Sequence, residues 1–199
     1  SDYSFGCKDE EGALHTIKMK TVGDMWGSGM FKNNACDFCD DVTTELADIS
    51  LGDAWLNPYN QDGKGTNVMV TRSKVAEELI NEGITKKELS VERLDFNQFL
   101  SSQQGSFNHR HKALGYRIRL AEKKGLSIPP KRHNKEMIFI DFKLVQKQRM
   151  VVRKQSLVKW RIVKDNRTFD EVMSDSIEKL KKVTKIYHYI SYIKRRINL

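Results

Sequence analysis

The chain of 199 residues is long enough for one globular domain with a helical extension, and its 39% hydrophobic and 31% charged residues are typical of a soluble, helix-rich protein. No apolar run approaches the ~20 residues of a membrane span and no charged-then-apolar leader opens the chain, so neither a transmembrane nor a secreted protein is predicted. The positive charge behind the net +9 is concentrated at the end of the chain, where residues from Lys131 onward include 19 Lys and Arg but only 7 Asp and Glu. This basic region contains no zinc-finger, RNP or helix-turn-helix pattern. We therefore expect a solvated basic helix face and no nucleic-acid binding.

The first predicted element is a half-buried strand over residues 15–22, where apolar and polar residues alternate after a turn at residues 9–12. A glycine-containing loop follows over residues 23–31. It carries large apolar side chains that we expect to pack in the core rather than over a ligand, namely Met25, Trp26, Met30 and Phe31.

A Cys-x-x-Cys pair, Cys36 and Cys39, is the strongest chemical signal in the chain. Its spacing suits a thioredoxin-like dithiol, a zinc site, an iron-sulfur cluster or two inert buried thiols. Neighbouring carboxylates at Asp37, Asp40 and Asp41 would oppose formation of a thiolate, which disfavours dithiol redox chemistry. A metal deprotonates its thiol ligands and tolerates nearby carboxylates, so ligation is favoured, with inert thiols as the alternative.

Zinc and cubane clusters both take about four protein ligands, and this chain has three cysteines. The predicted metal ligands are Cys36 and Cys39 together with Cys7. The fourth ligand stays open between an aspartate of the pair's neighbourhood, a histidine and a cysteine from elsewhere. An odd cysteine count with one close pair argues against a disulfide framework and for a reducing compartment, so a cytoplasmic location is expected.

The middle of the chain alternates strands, turns and a helix. A short buried strand is predicted over residues 47–51, a second strand over 66–72 and a third over 89–94, with a helix over 74–82 that Ser73 caps and Gly83 ends. The turn-rich loop between the first two strands ends in Gly63, Lys64, Gly65 and Thr66. Backbone amides beside a lysine could cradle a phosphate or carboxylate, and a simple mobile loop is the alternative.

Two further helices are predicted over residues 96–104 and 108–124, separated by Gly105. The second should carry a basic rim. Its cluster Arg110 to Lys112 is interpreted either as an anion contact or as a solvated helix start, and the two histidines two positions apart are not expected to share a metal. The rim comprises Arg110, Lys112, Arg117 and Arg119.

Pro129 and Pro130 mark the clearest boundary in the chain. Beyond them, residues 134–164 and 168–198 show helical periodicity and are expected to form an antiparallel hairpin, with a turn at 165–167 and a capping box of Thr168 and Glu171. Such a basic amphipathic hairpin should dock on protein, either its own domain or a partner, and we expect no membrane-surface binding.

One family resembles this chain at specific residues. The run from Cys36 to Trp55, which contains Ala-Asp-Ile-Ser-Leu-Gly-Asp-Ala-Trp, resembles the C-terminal domain of the coenzyme F420 hydrogenase/dehydrogenase β-subunit family. The segments Asp62-Gly-Lys-Gly-Thr66 and Val68-Met-Val-Thr-Arg72 add to it, as do Ser102-Gln-Gln-Gly105 and His109-Arg-His-Lys112. The resemblance covers roughly residues 12–132. The remainder matches no motif.

The resemblance implies a flavoprotein that carries FAD and 4Fe-4S clusters and moves electrons between them and a hydride acceptor such as coenzyme F420. In that setting the cysteines would ligate a cluster, while Gly63 to Thr66, Arg110 and Lys112 would help to hold FAD or an anionic coenzyme. The N-terminal part of the family, with ferredoxin-type cysteines and much of the flavin pocket, has no counterpart here. We therefore expect a fragment of a longer protein that holds no intact cofactor by itself, with other redox subunits or the N-terminal half as partners.

These observations predict an α+β domain over residues 1–130, with a mixed or antiparallel sheet and flanking helices, followed by a basic helical appendage over 131–199. Its helices could also support an oligomer. The alternative to a redox subunit is a non-catalytic structural or partner-binding module that has lost its cofactor half.

Overall fold

The computed structural model describes residues 4–18, 25–135 and 138–197, with the backbone alone at positions 25, 26 and 166. It consists of two compact units. The central unit is Asp41–Asn108, and the helical unit combines Ser4–Asp40 with the chain from His109 onward. Helices together with two separate antiparallel strand pairs make the described chain an α+β protein, as predicted. The proposed boundary at residue 130 separates a family domain from its extension, and it stays a prediction.

The helical unit begins with an antiparallel hairpin of β1, Ser4–Lys8, and β2, Leu14–Lys18. The predicted turn forms, because the Gly12 amide donates to the Asp9 carbonyl at 3.0 Å and the Asp9 amide donates to the Ala13 carbonyl at 3.1 Å. Every residue of both strands is exposed, so the predicted half-burial is wrong. Strand alternation here reflects backbone pairing only, since no second layer covers either face of the described strands. Residues 19–22 of the predicted strand lie outside the described chain.

A single helical turn, α1 (Met25–Ser28), leads into a 3₁₀ helix at Asn34–Phe38, here called the cysteine turn. Its start is fixed by Asn33, whose side-chain oxygen accepts the Ala35 amide at 2.9 Å and whose carbonyl accepts the Cys36 amide at 3.0 Å. Such capping satisfies amides that have no partner in the first turn. The cap therefore fixes a turn that contains Cys36 at its centre and is followed directly by Cys39.

In the central unit, β3 (Ile49–Asp53) pairs with β4 (Asn67–Thr71) across a loop that contains a 3₁₀ turn at Tyr59–Gln61. Helix α2 spans Lys74–Thr85, and the Ser73 hydroxyl caps it by accepting the Ala76 amide at 3.3 Å. The helix runs two residues past Gly83, which packs against Leu89 instead of ending it. Strand β3 is exposed or half-buried, so its predicted full burial is wrong.

The predicted strand over residues 89–94 does not form, and an extended segment leads instead into α3 at Phe96–Ser102. Asp95 and Gln98 form a capping box there, which makes residue 95 a helix start and leaves no partner strand for the preceding residues. Helix α4, Gln104–Phe107, includes Gly105, so this glycine does not separate two helices as expected.

A π-helical turn, Asn108–Lys112, opens the second part of the helical unit and is followed by α5, Leu114–Glu122. The long helices α6, Ile140–Val163, and α7, Asn166–Arg196, form the predicted antiparallel hairpin. Asp165 accepts the Thr168 amide at 2.9 Å and is the cap of α7, so Thr168 lies inside the helix and the predicted capping box does not form.

The core of the helical unit lies between α6 and α7. Val152 and Met173 are fully buried there, and Met30 packs against this cluster as expected from the sequence. Phe31 stacks on Phe169 at a centroid distance of 5.3 Å. Burial of these side chains supplies most of the hydrophobic stabilisation available to two helices that are otherwise polar. The buried set is Val145, Val152, Phe169, Met173 and Leu180.

Candidate functional site

The cysteine turn places an aspartate at the centre of a buried polar cluster. Asp37 lies between the two cysteines in the sequence and is 4% exposed. Its carboxylate accepts a hydrogen bond from Nη1 of Arg153 on α6, and its carbonyl accepts from Nε of Arg117 on α5 at 2.7 Å. A short turn with few apolar contacts is therefore held by two arginines from separate helices.

Arg117 and Arg153 belong to a larger group that we call the cationic cluster, defined as Lys32, Arg110, Arg117, Arg149 and Arg153. Arg117 is fully buried and Arg153 is 4% exposed, so the predicted basic rim is wrong for Arg117. Burial lowers the pKa of Arg117 to about 10, although the Asp37 carboxylate opposes this shift. The pKa of Lys32 also falls, first because of burial and then because of Arg153 and Arg110. These shifts show that the cations lie close enough to repel one another.

His109 and Gln146 extend the polar network. Gln146 is fully buried, and its Oε1 accepts from Nη1 of Arg117 at 2.8 Å. Nδ1 of His109 lies 3.0 Å from the same oxygen and must donate to it, since an amide oxygen only accepts. Burial lowers the pKa of His109 to about 2, with Arg117 and Arg153 adding to the shift, so the ring is neutral and its Nε2 carries a lone pair.

Buried polar atoms that have no hydrogen-bond partner among the described residues include Nη2 of Arg117, Nε of Arg153, Nε2 of Gln146 and Nε2 of His109. All of these except the histidine nitrogen are donors. Buried donors that lack a protein acceptor usually bind water or an anionic group.

The sulfur atoms face this positive region. Nη1 of Arg110 donates to Sγ of Cys39 at 3.2 Å, and both side chains are half-buried. Asp37 is engaged by Arg153, while Asp40 accepts the Arg132 amide at 3.1 Å and lies 3.7 Å from Nζ of Lys131. Partial burial raises the pKa of Asp40. The hydrogen bond from the Arg132 amide and the positive side chains of Lys131 and Arg132 nevertheless hold this pKa below its usual value. Asp37 and Asp40 thus each have a cationic partner, and the predicted effect of the neighbouring carboxylates on the thiols stays a prediction.

Sequence reasoning missed Gln146 and Arg153, which it assigned to a solvated basic helix. A signal was present in the spacing: Gln146, Arg149 and Arg153 recur three and four residues apart, beside the buried positions Val145 and Val152. Polar residues at core spacing on an amphipathic helix indicate a buried polar network.

Cys7 lies on exposed strand β1, opposite His15 in the register. Among the described residues, no set of three mutually close His, Cys, Asp or Glu ligand atoms includes a cysteine. The structure therefore brings Cys36, Cys39 and Arg110 together, and the role of Cys7 as a ligand stays a prediction. The donor set and the positive surroundings fit a metal group that carries net negative charge, with two of its ligands from the cysteine turn.

The predicted anion loop lies in the central unit. Its Lys64 amide donates to Oδ1 of Asp62 at 2.9 Å, and the Gly65 amide donates to the Asp62 carbonyl at 3.1 Å. The Thr66 hydroxyl lies 3.3 Å from Oδ2 of the same aspartate. A left-handed φ of 84° at Gly65 completes the turn, and the space beside Gly63 is open. Two loop amides are thus already satisfied, which leaves the exposed Lys64 side chain as the group able to contact an anion.

No helix within the described ranges is long and apolar enough to serve as a membrane span. No curated protein and no solved structure matches the chain. Residues 2–96 match the family described as the C terminus of the β subunit of coenzyme F420 hydrogenase/dehydrogenase. The matched stretch contains the cysteine turn and the Lys64 loop, whereas Arg110, α5, α6 and α7 lie beyond it. Over residues 2–96, this chain is similar to the C-terminal domain family of that redox-enzyme subunit.

Proposed function

We propose that this chain is part of an iron-sulfur flavoprotein subunit that passes electrons between a 4Fe-4S cluster, FAD and a hydride acceptor such as coenzyme F420. The observation that carries the proposal is the cysteine turn, which lies within the family-matched segment and is followed by Cys39, whose Sγ accepts a hydrogen bond from Arg110. A cluster bound by four thiolates carries net negative charge, which this cation would stabilise, and it would take up single electrons.

In this proposal the residues have separate roles as ligands, as supports of the cysteine turn and as anion contacts. Cys36 and Cys39 supply two thiolate ligands, and the remaining ligands come from Cys7 or from outside the described residues. Arg153 and Arg117 hold the turn through Asp37. Lys64 in the central unit and the exposed Lys112 in the helical unit are separate candidates for contact with the phosphates of FAD or an acidic coenzyme, whereas Arg110 is engaged at the sulfur. Partners would be other redox subunits, and the compartment would be the cytoplasm.

The direct test is iron content and the visible spectrum of the anaerobically purified full-length protein. We expect Cys36→Ser and Cys39→Ser each to lose most of the bound iron, because a cluster with a missing thiolate is labile. Cys7→Ser is the matched comparison, since it removes an exposed thiol from the same unit. Iron loss in Cys7→Ser as well would identify a third ligand.

Unchanged iron in both pair variants would refute the ligand assignment. Colourless wild-type protein without iron or flavin would favour the second function, a non-catalytic binding module. One observation supports that alternative: the amides of the Lys64 loop are already bonded to Asp62 and so do not form an open phosphate cradle.

A further inference from the structure

The contact between Arg110 and Cys39 is specific in its geometry. The arginine lies on the π-helical turn, 71 residues from the cysteine in sequence, and its Nη1 lies 3.2 Å from Sγ. A π turn inserts an extra residue into the helical register and so re-aims the side chains that it carries. The guanidinium is thus directed at a candidate ligand sulfur.

The buried aspartate of the cysteine turn is held by arginines other than Arg110. Asp37 is buried beside the cluster, but its carboxylate is bound to Arg153 and its carbonyl to Arg117. The pKa of Lys32 is lowered first by burial and then by Arg153 and Arg110, while negative charge at Cys36 and Asp37 acts in the opposite direction. Any added negative charge at the sulfurs would therefore be stabilised by the surroundings.

We propose that Arg110 is a positioning residue that raises the reduction potential of the cluster at Cys36 and Cys39, an inference that rests on the function proposed above. On reduction the centre gains one electron, and a donor such as reduced flavin loses one, with no bond made or broken. A hydrogen bond and a full positive charge at a ligand sulfur stabilise the more negative, reduced form more than the oxidised form. The cluster is thereby poised to accept electrons from a flavin rather than only to donate them.

The test is a redox titration of the anaerobic full-length protein, followed by electron paramagnetic resonance and visible absorption. We expect Arg110→Gln to lower the midpoint potential, with a change of about tenfold in the ratio of oxidised to reduced centre at fixed potential, or about 59 mV for a one-electron couple. Arg110→Lys keeps the charge but loses the planar donor geometry, so its shift should be smaller.

Lys123→Gln is the matched control, because it removes the same charge from an exposed side chain of the helical unit. Its potential should equal that of the wild type. A cluster that is present in wild type and in Arg110→Gln at equal potential overturns the role of Arg110 and leaves the proposed function standing. If Arg110→Gln loses its iron, the uncharged variant Arg110→Met is titrated in its place and is judged by the same criterion. Wild-type protein without any cluster overturns both proposals.

Discussion

At the level of single residues, His109 has the most unusual environment for a titratable group in the described chain. Burial is the main cause of its lowered pKa, and the charged groups facing it are Lys32 from the loop after α1, Arg117 from α5, and Arg149 and Arg153 from α6. Protonation would place another cation among four existing ones. The folded protein therefore keeps this imidazole neutral. As a result, the free energy of unfolding depends on pH.

The sign of that dependence follows from proton linkage. In the unfolded chain the imidazole has an ordinary pKa near ~6.5, whereas in the folded chain the pKa is about 2. Between these values the unfolded state binds a proton that the folded state does not, so the free energy of unfolding falls as pH decreases below ~6.5. The slope from this residue approaches about 1.4 kcal/mol per pH unit.

We expect His109→Gln to flatten this slope in urea unfolding followed by circular dichroism between pH 7.5 and 4.5. Glutamine keeps a group that can donate to Oε1 of Gln146 but does not titrate. His188→Gln, at an exposed position on α7, is the control and should keep the wild-type slope. An equal slope in wild type and His109→Gln would show that the folded protein admits the proton.

At the level of elements, the hairpin of α6 and α7 supplies the main core of the helical unit and also part of the site. Arg153 contacts the cysteine turn and Gln146 contacts Arg117 on α5, while Val145 and Val152, one position before Gln146 and Arg153, belong to the core with α7. Adjacent positions on a helix point about 100° apart, which lets one helix serve both contacts. A deletion of this hairpin would therefore remove half of the network around Asp37, and single substitutions are the better test.

Met173→Ala should destabilise the protein by about 2–5 kcal/mol, because it removes a fully buried side chain between the two helices. The neighbouring Val172 is 37% exposed, so Val172→Ala should cost less than about 1 kcal/mol. Thermal and urea unfolding measure both values. Equal losses in the two variants would contradict the assignment of Met173 to the core.

The elements show which features a sequence can reveal. Caps and long periodic segments were predictable, as at Ser73 and in α6 and α7, because their signals lie within a few residues of one another. Burial was not predictable for β2, since alternation specifies a strand but not whether another layer covers it. The Cys-x-x-Cys pair was visible as well. The positive surroundings of this pair were not visible in the sequence. Arg110 lies 71 residues from its partner Cys39, and Arg117 and Arg153 lie 80 and 116 residues from their partner Asp37.

At the level of the whole molecule, the exposed face near the end of α7 is the best candidate for contact with a partner. Ile186, Tyr189, Ile193 and Ile197 recur at helical spacing and are 38–66% exposed. No acidic residue follows Glu178 in the sequence, whereas several Lys and Arg residues do. An apolar stripe with a basic surround is typical of a docking surface.

We expect this stripe to support docking on protein, either a redox subunit or a second copy, since the matched family is described as part of a β subunit. Ile193→Glu should then weaken assembly in analytical ultracentrifugation of the full-length protein, since a carboxylate would be buried at the interface. His188→Glu introduces the same charge at an exposed position of the same helix and should leave assembly nearly unchanged.

Salt separates this contact from an electrostatic one. Association through apolar burial should persist from low salt to 0.5 M salt, whereas attraction of the basic residues to acidic lipid would fade because the Debye length is ~8 Å at physiological ionic strength. Vesicles containing phosphatidylserine should therefore fail to bind the protein. Salt-sensitive vesicle binding that Ile193→Glu abolishes, together with unchanged assembly, would assign the same stripe to a membrane surface instead.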